Sequence, residues 1–389
     1  MSGSLVGQAV FIVSVGLILY VYFGYPLLMF VMARLAPKNV EKAPIRPSVS
    51  FIIAAYNEAL DIRQKLENTL RLEYPEEKLE IIVTSDASTD GTDDIAREFA
   101  GRGVRLVRQP ERRGKTAAQN LAVEAAAGEI IVFSDATSMY EPDAVCMLAA
   151  NFADASVGCV AGKLVYVDPA ATTVGSGVRS YWNYESFLKR NESTASSLIG
   201  VSGCIYAVRR ANYLPMYPEA CSDFLIATVI RKQGLRTVYE PLAVCAEVTN
   251  GEASKEMKMR VRVISQTFTD LWRNREMLDP FHSGIYALQL LSHKVLRYSI
   301  PIFLAAAFVS SAVLAFNSRV CLLIFAVQAA FFAAAVAAWV LERIGVKGGT
   351  LSIQLYFLLD NIASVAGFNQ FLKGERYAAW EPIRDSGQR

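Results

Sequence analysis

The chain has 389 residues, a net charge of +2, 53% apolar residues and a mean hydropathy of +0.27. That length allows more than one domain, and the near-neutral charge gives no support to nucleic-acid binding. The six cysteines are scattered with no Cys-x-x-Cys pair, which speaks against a zinc site or a disulfide framework and for reduced thiols facing the cytosol.

The apolar excess lies at the two ends. Met1 to Ala33 carries no charged residue, and a bilayer needs about 20 apolar residues to be spanned. A cleaved signal peptide would start with basic residues and have a shorter apolar run. Residues 1–36 are therefore predicted to be a transmembrane helix. Arg34, Lys38 and Lys42 follow it, which by the positive-inside rule brings the chain into the cytosol near residue 34. Tyr20, Tyr22 and Tyr25 are expected to reach the membrane interface.

Residues 47–272 read as a water-soluble α/β region. The run SVSFIIAAYNE is a buried strand ending in a loop, and Ala59 to Leu72 has helical spacing. LEIIVTSD is a second strand and Thr89 to Ala100 a second helix. VRLVRQ is a third strand, Lys115 to Ala126 a third helix, and EIIVFSD a fourth strand. Strands alternating with helices at short spacing predict a mainly parallel sheet, with functional groups at the C-terminal strand ends. Those ends carry Tyr56, Asn57 and Glu58, then Asp86 and Asp90, then Arg112, Arg113 and Lys115, then Asp135. Such groups suit a nucleotide: a carboxylate accepts from a base or ribose, a lysine meets a phosphate, and an acid holds a divalent ion. Two other phosphate motifs are excluded. Gln109 stands where a P-loop needs its first glycine, and no Gly-x-Gly-x-x-Gly follows the first strand.

Taken in order, AAYNE, SDASTDGT, RRGKTAAQN and FSDA resemble an inverting family 2 glycosyltransferase with the nucleotide-diphospho-sugar transferase (GT-A) fold. The flanking membrane segments resemble those of polysaccharide-making members. The resemblance implies a UDP-sugar donor and Mg²⁺ or Mn²⁺. It places Ala54, Tyr56, Glu58 and Asp86 at the uridine, and Lys115 and Asp135 at the diphospho-sugar. Asp135 is also the metal-binding acid of the family's Asp-x-Asp motif, whose third position here is Thr137. GVSGCIYAVRR resembles the acceptor-side segment, with Gly203 allowing close approach of a sugar. SDFLIATVIRKQG begins a helix, and the resemblance makes Asp223 the base that deprotonates the acceptor hydroxyl. Glu247 is a further acceptor-side candidate. Of the Gln-x-x-Arg-Trp motif of processive members only an arginine carries over, to Arg262; Arg260 and Arg262 are both candidates to face the diphosphate.

The domain proper is assigned to 47–254 and interfacial helices to 255–299. His293 lies in this interfacial stretch and is weighed as a ligand. Residues 300–372 hold three apolar segments. The third carries Asp360, Asn361 and Gln370, so it either spans, re-enters or lies at the interface. Residues 373–389 form a tail. The function expected is transfer of a sugar to a lipid-linked or saccharide acceptor at the cytosolic face of an inner or plasma membrane, among membrane lipids. The alternatives are a processive polysaccharide synthase and an inactive nucleotide-binding scaffold.

Overall fold

Every residue but one of Val49–Ala55 is buried, which a strand achieves only when both faces of its sheet are covered. A computed structural model describes residues 2–167, 173–248, 253–344 and 351–378 and shows how this is done. The strands are β1 (Val49–Ala55), β2 (Leu79–Ser85), β3 (Val104–Arg108), β4 (Ile130–Asp135), β5 (Met139–Tyr140), β6 (Val157–Val167), β7 (Tyr206–Arg209) and β8 (Arg236–Val248). The helices are α1 (Ser2–Leu19), α2 (Tyr25–Leu35), α3 (Ile62–Thr69), α4 (Thr92–Glu98), α5 (Lys115–Ala125), α6 (Ala144–Ala150) and α7 (Thr173–Ala195). After them come α8 (Ser222–Lys232), α9 (Ala253–Arg273), α10 (Pro280–Ser283), α11 (Ile285–Leu290), α12 (Ile300–Ala315), α13 (Arg319–Arg343) and α14 (Ser352–Leu372).

All eight strands form one sheet in the order β3-β2-β1-β4-β7-β6-β8-β5. Successive side chains point to opposite faces. Phe51, Ile53, Ile81 and Val132 therefore pack with Ile62 and Leu66 of α3 and Leu148 of α6. Ile52, Ile82, Ile131 and Phe133 pack on the other face with Ala122 of α5 and Ile226 and Ile230 of α8. The first half, β3-β2-β1-β4, is parallel throughout, as its sequence predicts. The second half is mixed: β7 runs antiparallel to both β4 and β6, while β6 and β8 are parallel. From β1 the chain moves outward through β2 and β3, then returns to the other side of β1 as β4. The strand order thus reverses between β1 and β4, the switch point beside which α/β sheets bind ligands at the C-terminal strand ends.

Two predicted helices start three residues late, for a local reason. The Ala59 amide donates to Asp90 Oδ2 at 3.0 Å and the Thr89 amide to Asn57 Oδ1 at 2.9 Å, so both loops are tied to each other before either helix begins. Gly91, at φ +95°, closes the second loop in a left-handed conformation.

Leu5–Leu35 and Arg319–Leu341 are long and apolar enough to cross a membrane. Ile285–Leu296 and Ile300–Ala315 would make a third span only as a pair bent by 57°. Helix α14 is not among these spans; its Asp360 forms an ion pair with Arg260 of α9, and its Phe368 and Phe371 pack on Phe268. Two of the three tyrosines expected at the interface have protein partners: Tyr20 hydrogen-bonds Ser292 at 2.9 Å, and Tyr25 is buried and donates to Glu192 of α7. A phenol in an apolar setting keeps its hydroxyl paired. Glu192 also meets His293 at 2.8 Å, and Glu185 meets Arg297 at 2.5 Å. His293 is thereby a structural partner joining α7 to the membrane-side helices.

A side chain at Gly128 would place its Cβ 2.4 Å from the Ser50 amide nitrogen, in rigid strand backbone. Gly128→Ala is expected to destabilise the protein by about 1–3 kcal/mol through overpacking. Thermal unfolding in detergent checks this, and an unchanged midpoint would show that β1 and the Gly128 turn have room to part.

Candidate active site

The β1 loop supplies the first wall. Ala54 lies in register between Thr84 of β2 and Asp135 of β4. Tyr56 stacks under Arg112, whose guanidinium carbon is 3.9 Å from the ring centroid. Glu58 is buried, and its amide donates to Thr92 Oγ1 at 2.8 Å. Asn57 adopts φ 53°, and its side chain and amide bind Thr89 and Ser88 of the loop that follows β2.

Asp86, just beyond β2, is buried and largely occupied by protein donors. Its Oδ1 accepts from Gln109 Nε2 at 2.7 Å and the Arg113 amide at 2.8 Å; its Oδ2 accepts from the Gly114 amide at 2.9 Å. One acid thus shapes the whole RRGK loop. The loop delivers Lys115 as the first residue of α5, where it forms an ion pair with Asp135 at the end of β4. Burial alone would lower the Lys115 ammonium, yet Asp135 and then Asp223 hold it above its usual range.

After Asp135 the chain turns. Thr137 Oγ1 donates to Glu247 Oε1 at 2.9 Å. The Ser138 carbonyl accepts from Lys65, a fully buried lysine lying 4.3 Å from the Tyr140 ring centroid. Burial pushes Lys65 down to about 7.

The other wall is the start of α8. Asp223 stands in its first turn, where the helix dipole favours a carboxylate. Cys221 Sγ donates to Asp223 Oδ1 at 2.9 Å. At Gly203 an added Cβ would lie 3.2 Å from Asp223 Oδ2, so glycine keeps this approach to the carboxylate open. Arg262 of α9 is within electrostatic reach of Asp223 and Asp135, whereas Arg260 is turned to Asp360. Two residues along a helix are about 200° apart, so these arginines cannot serve one site together.

Residues 50–214 match the family described as Glycosyl transferase family 2. They form a glycosyltransferase family 2 domain. A poly-beta-1,6-N-acetyl-D-glucosamine synthase of Staphylococcus aureus is 26% identical over 220 residues, covering 55% of this chain and 53% of that protein. A Bacillus subtilis protein described as "Probable glycosyltransferase YdaM" is 32% identical over 179 residues, 43% of each chain. This chain spans about half the length of the curated relatives it matches. The mannosyltransferase PcManGT of Pyrobaculum calidifontis, solved with GDP-Man and Mn²⁺, superposes with a TM-score of 0.73 at 25% identity, covering 94% of this chain and all of its own. The GT-A fold read from the four motifs is therefore the fold of the family 2 domain.

The domain's acids fit a divalent ion of the kind that binds with a substrate. Among the described residues no three His, Cys, Asp or Glu converge on one point. A hard cation with few protein ligands takes its other oxygens from water and a diphosphate. Asp135, beside Lys115 and at the switch point, is suited to that arrangement.

The sequence reading missed two charged residues that pack beside these elements. Asp270 of α9 is buried, accepts from the Tyr217 hydroxyl and from the Cys221 amide at 3.1 Å, and is pushed up to about 7 by burial. Lys189 of α7 donates to Ser202 at 2.9 Å, next to Gly203. An acid or lysine on an otherwise apolar helix face was the available signal, but nothing local tells which loop it will meet.

Asp86→Ala removes the acceptor of two loop amides and leaves them buried or half-buried. The expected outcome is a loss of about 1–3 kcal/mol in stability together with weakened nucleoside diphosphate binding. Calorimetry and a melting curve on the same variant check both; intact binding would detach Asp86 from the nucleotide site.

Proposed function

We propose that the family 2 domain transfers a sugar, with inversion, from a nucleotide-diphospho-sugar to a hydroxyl of a lipid-linked or saccharide acceptor beside the membrane. The observation that carries this reading is that the Lys115–Asp135 pair, from α5 and β4, stands within electrostatic reach of Asp223 of α8. The first reading of the donor is a UDP-sugar, with Ala54, Tyr56, Glu58 and Asp86 around the base and ribose.

Asp223 is the group assigned to take the acceptor proton. It is a carboxylate at a helix N-terminus, and Gly203 leaves space beside it. As the acceptor oxygen attacks the anomeric carbon, its proton passes to Asp223 and the bond to the diphosphate breaks on the opposite side. One displacement inverts the centre, so no covalent sugar intermediate is required. Lys115 and Arg262 are cations suited to the negative charge that grows on the departing diphosphate. When bound, a Mg²⁺ or Mn²⁺ ion at Asp135 would supply further charge neutralisation there.

The apolar helices packed against α7 and α9 support a membrane-borne acceptor. Cytosolic orientation rests on the basic residues after residue 33. A second donor reading, a GDP-sugar, is favoured by PcManGT, which covers nearly all of this chain. A polymer-forming reading is favoured by the Staphylococcus aureus relative; the loss of all but one residue of the processive motif favours addition of one or a few sugars.

Purified protein should release nucleoside diphosphate from a UDP- or GDP-sugar when membrane lipid extract and a divalent ion are present. Asp223→Asn should lower turnover by about 10²–10⁴-fold and leave nucleotide affinity intact. Activity retained in that variant would remove Asp223 as the base. Nucleotide binding without turnover across a full donor and acceptor panel would favour the scaffold alternative, and long products released only after many additions would favour the polymerase.

A further inference from the structure

The metal-binding turn of this chain is one acid short, since Thr137 stands where the family motif has its second carboxylate. The fold brings a carboxylate to that place from elsewhere. Strand β5 runs antiparallel to β8, with Met139 opposite Ala246 and Tyr140 opposite Cys245. The end of β8 therefore runs alongside the turn that precedes β5. Glu247, the residue after Ala246, meets Thr137 there, with Thr137 Oγ1 donating to Glu247 Oε1 at 2.9 Å.

We infer that Glu247 is the second protein carboxylate of the divalent-cation site, and that Thr137 acts as the hydroxyl that orients it. The inference rests on the proposed use of a divalent ion with a diphosphate donor. It moves Glu247 from the acceptor side to the donor side. The chemistry is that of a hard cation held by one or two carboxylates, with phosphate oxygens and water completing its shell. A hydroxyl is a weak ligand but a good donor, and one that fixes a ligating carboxylate matters for affinity. The site thus keeps two acids, one from each of two strands in place of two from one turn.

The test is Mn²⁺ binding to the full chain in detergent with saturating UDP, and with GDP in parallel, read by calorimetry and by the electron paramagnetic resonance of free Mn²⁺. Glu247→Gln should weaken Mn²⁺ by at least about tenfold, since loss of an orienting partner alone costs that much. Adding Thr137→Asp to that variant should recover most of the affinity, because it restores a second acid by the other route. Nucleotide binding without cation should be the same in all three proteins. Wild-type Mn²⁺ affinity in Glu247→Gln would overturn the assignment. So would a double variant that binds nucleotide normally but does not regain Mn²⁺, and so would a Glu247→Gln defect confined to acceptor KM. If the unaltered protein binds no Mn²⁺ with either nucleotide, the cation reading of the proposed function falls, and this assignment with it.

Discussion

The side-by-side pairing of β1 with β4 is the constraint on which the rest depends. Their register sets Ala54 against Asp135. Because the chain reverses its direction of travel across the sheet between these strands, the loops at their C-terminal ends lead away in opposite directions. The loops that leave there must satisfy their own backbone groups. They do so with acids: Asp90 takes the Ala59 amide, and Asp86 takes those of Arg113 and Gly114. The same bonds that hold the loops together fix where Tyr56, Arg112 and Lys115 stand.

A second constraint comes from the helices. Helix α7 carries Glu185 and Glu192 into contact with Arg297, His293 and Tyr25. Helix α9 gives Arg260 to Asp360 of α14. Charges with so little access to water are tolerated when paired, and removing one partner of such a pair costs about 3–5 kcal/mol. These links therefore favour one seating of the sheet domain on the apolar helices. Asp223 and Arg262 belong to elements held by that seating, which couples the position of the assigned base to the membrane-side packing.

The first four strands were legible because each is a short run of β-branched and apolar residues ended by polar loop residues. Both signals are local. Helix α7 and strand β6 were not foreseen, since 157–195 mixes apolar and polar residues without a clean period. The antiparallel setting of β7 was equally hidden: YAVR reads the same in either direction, and its partners are more than seventy and more than forty residues away. The reading of Arg260 and Arg262 as a pair failed on helical geometry. Expecting Tyr20 and Tyr25 at a lipid interface overlooked protein partners on distant helices.

The sequence alone determined the order of the motifs, the strand ends that carry them and the apolar termini, because periodicity, turn chemistry and hydropathy act over a few residues. It also exposed Thr137 as a departure. Only the tertiary structure decided what surrounds that residue. Glu247 is far away along the chain and reaches Thr137 through the pairing of β5 with β8, and Asp270 reaches the start of α8 through a helix packed across it. Such contacts are fixed by how strands register and helices pack, and no short stretch of residues encodes them.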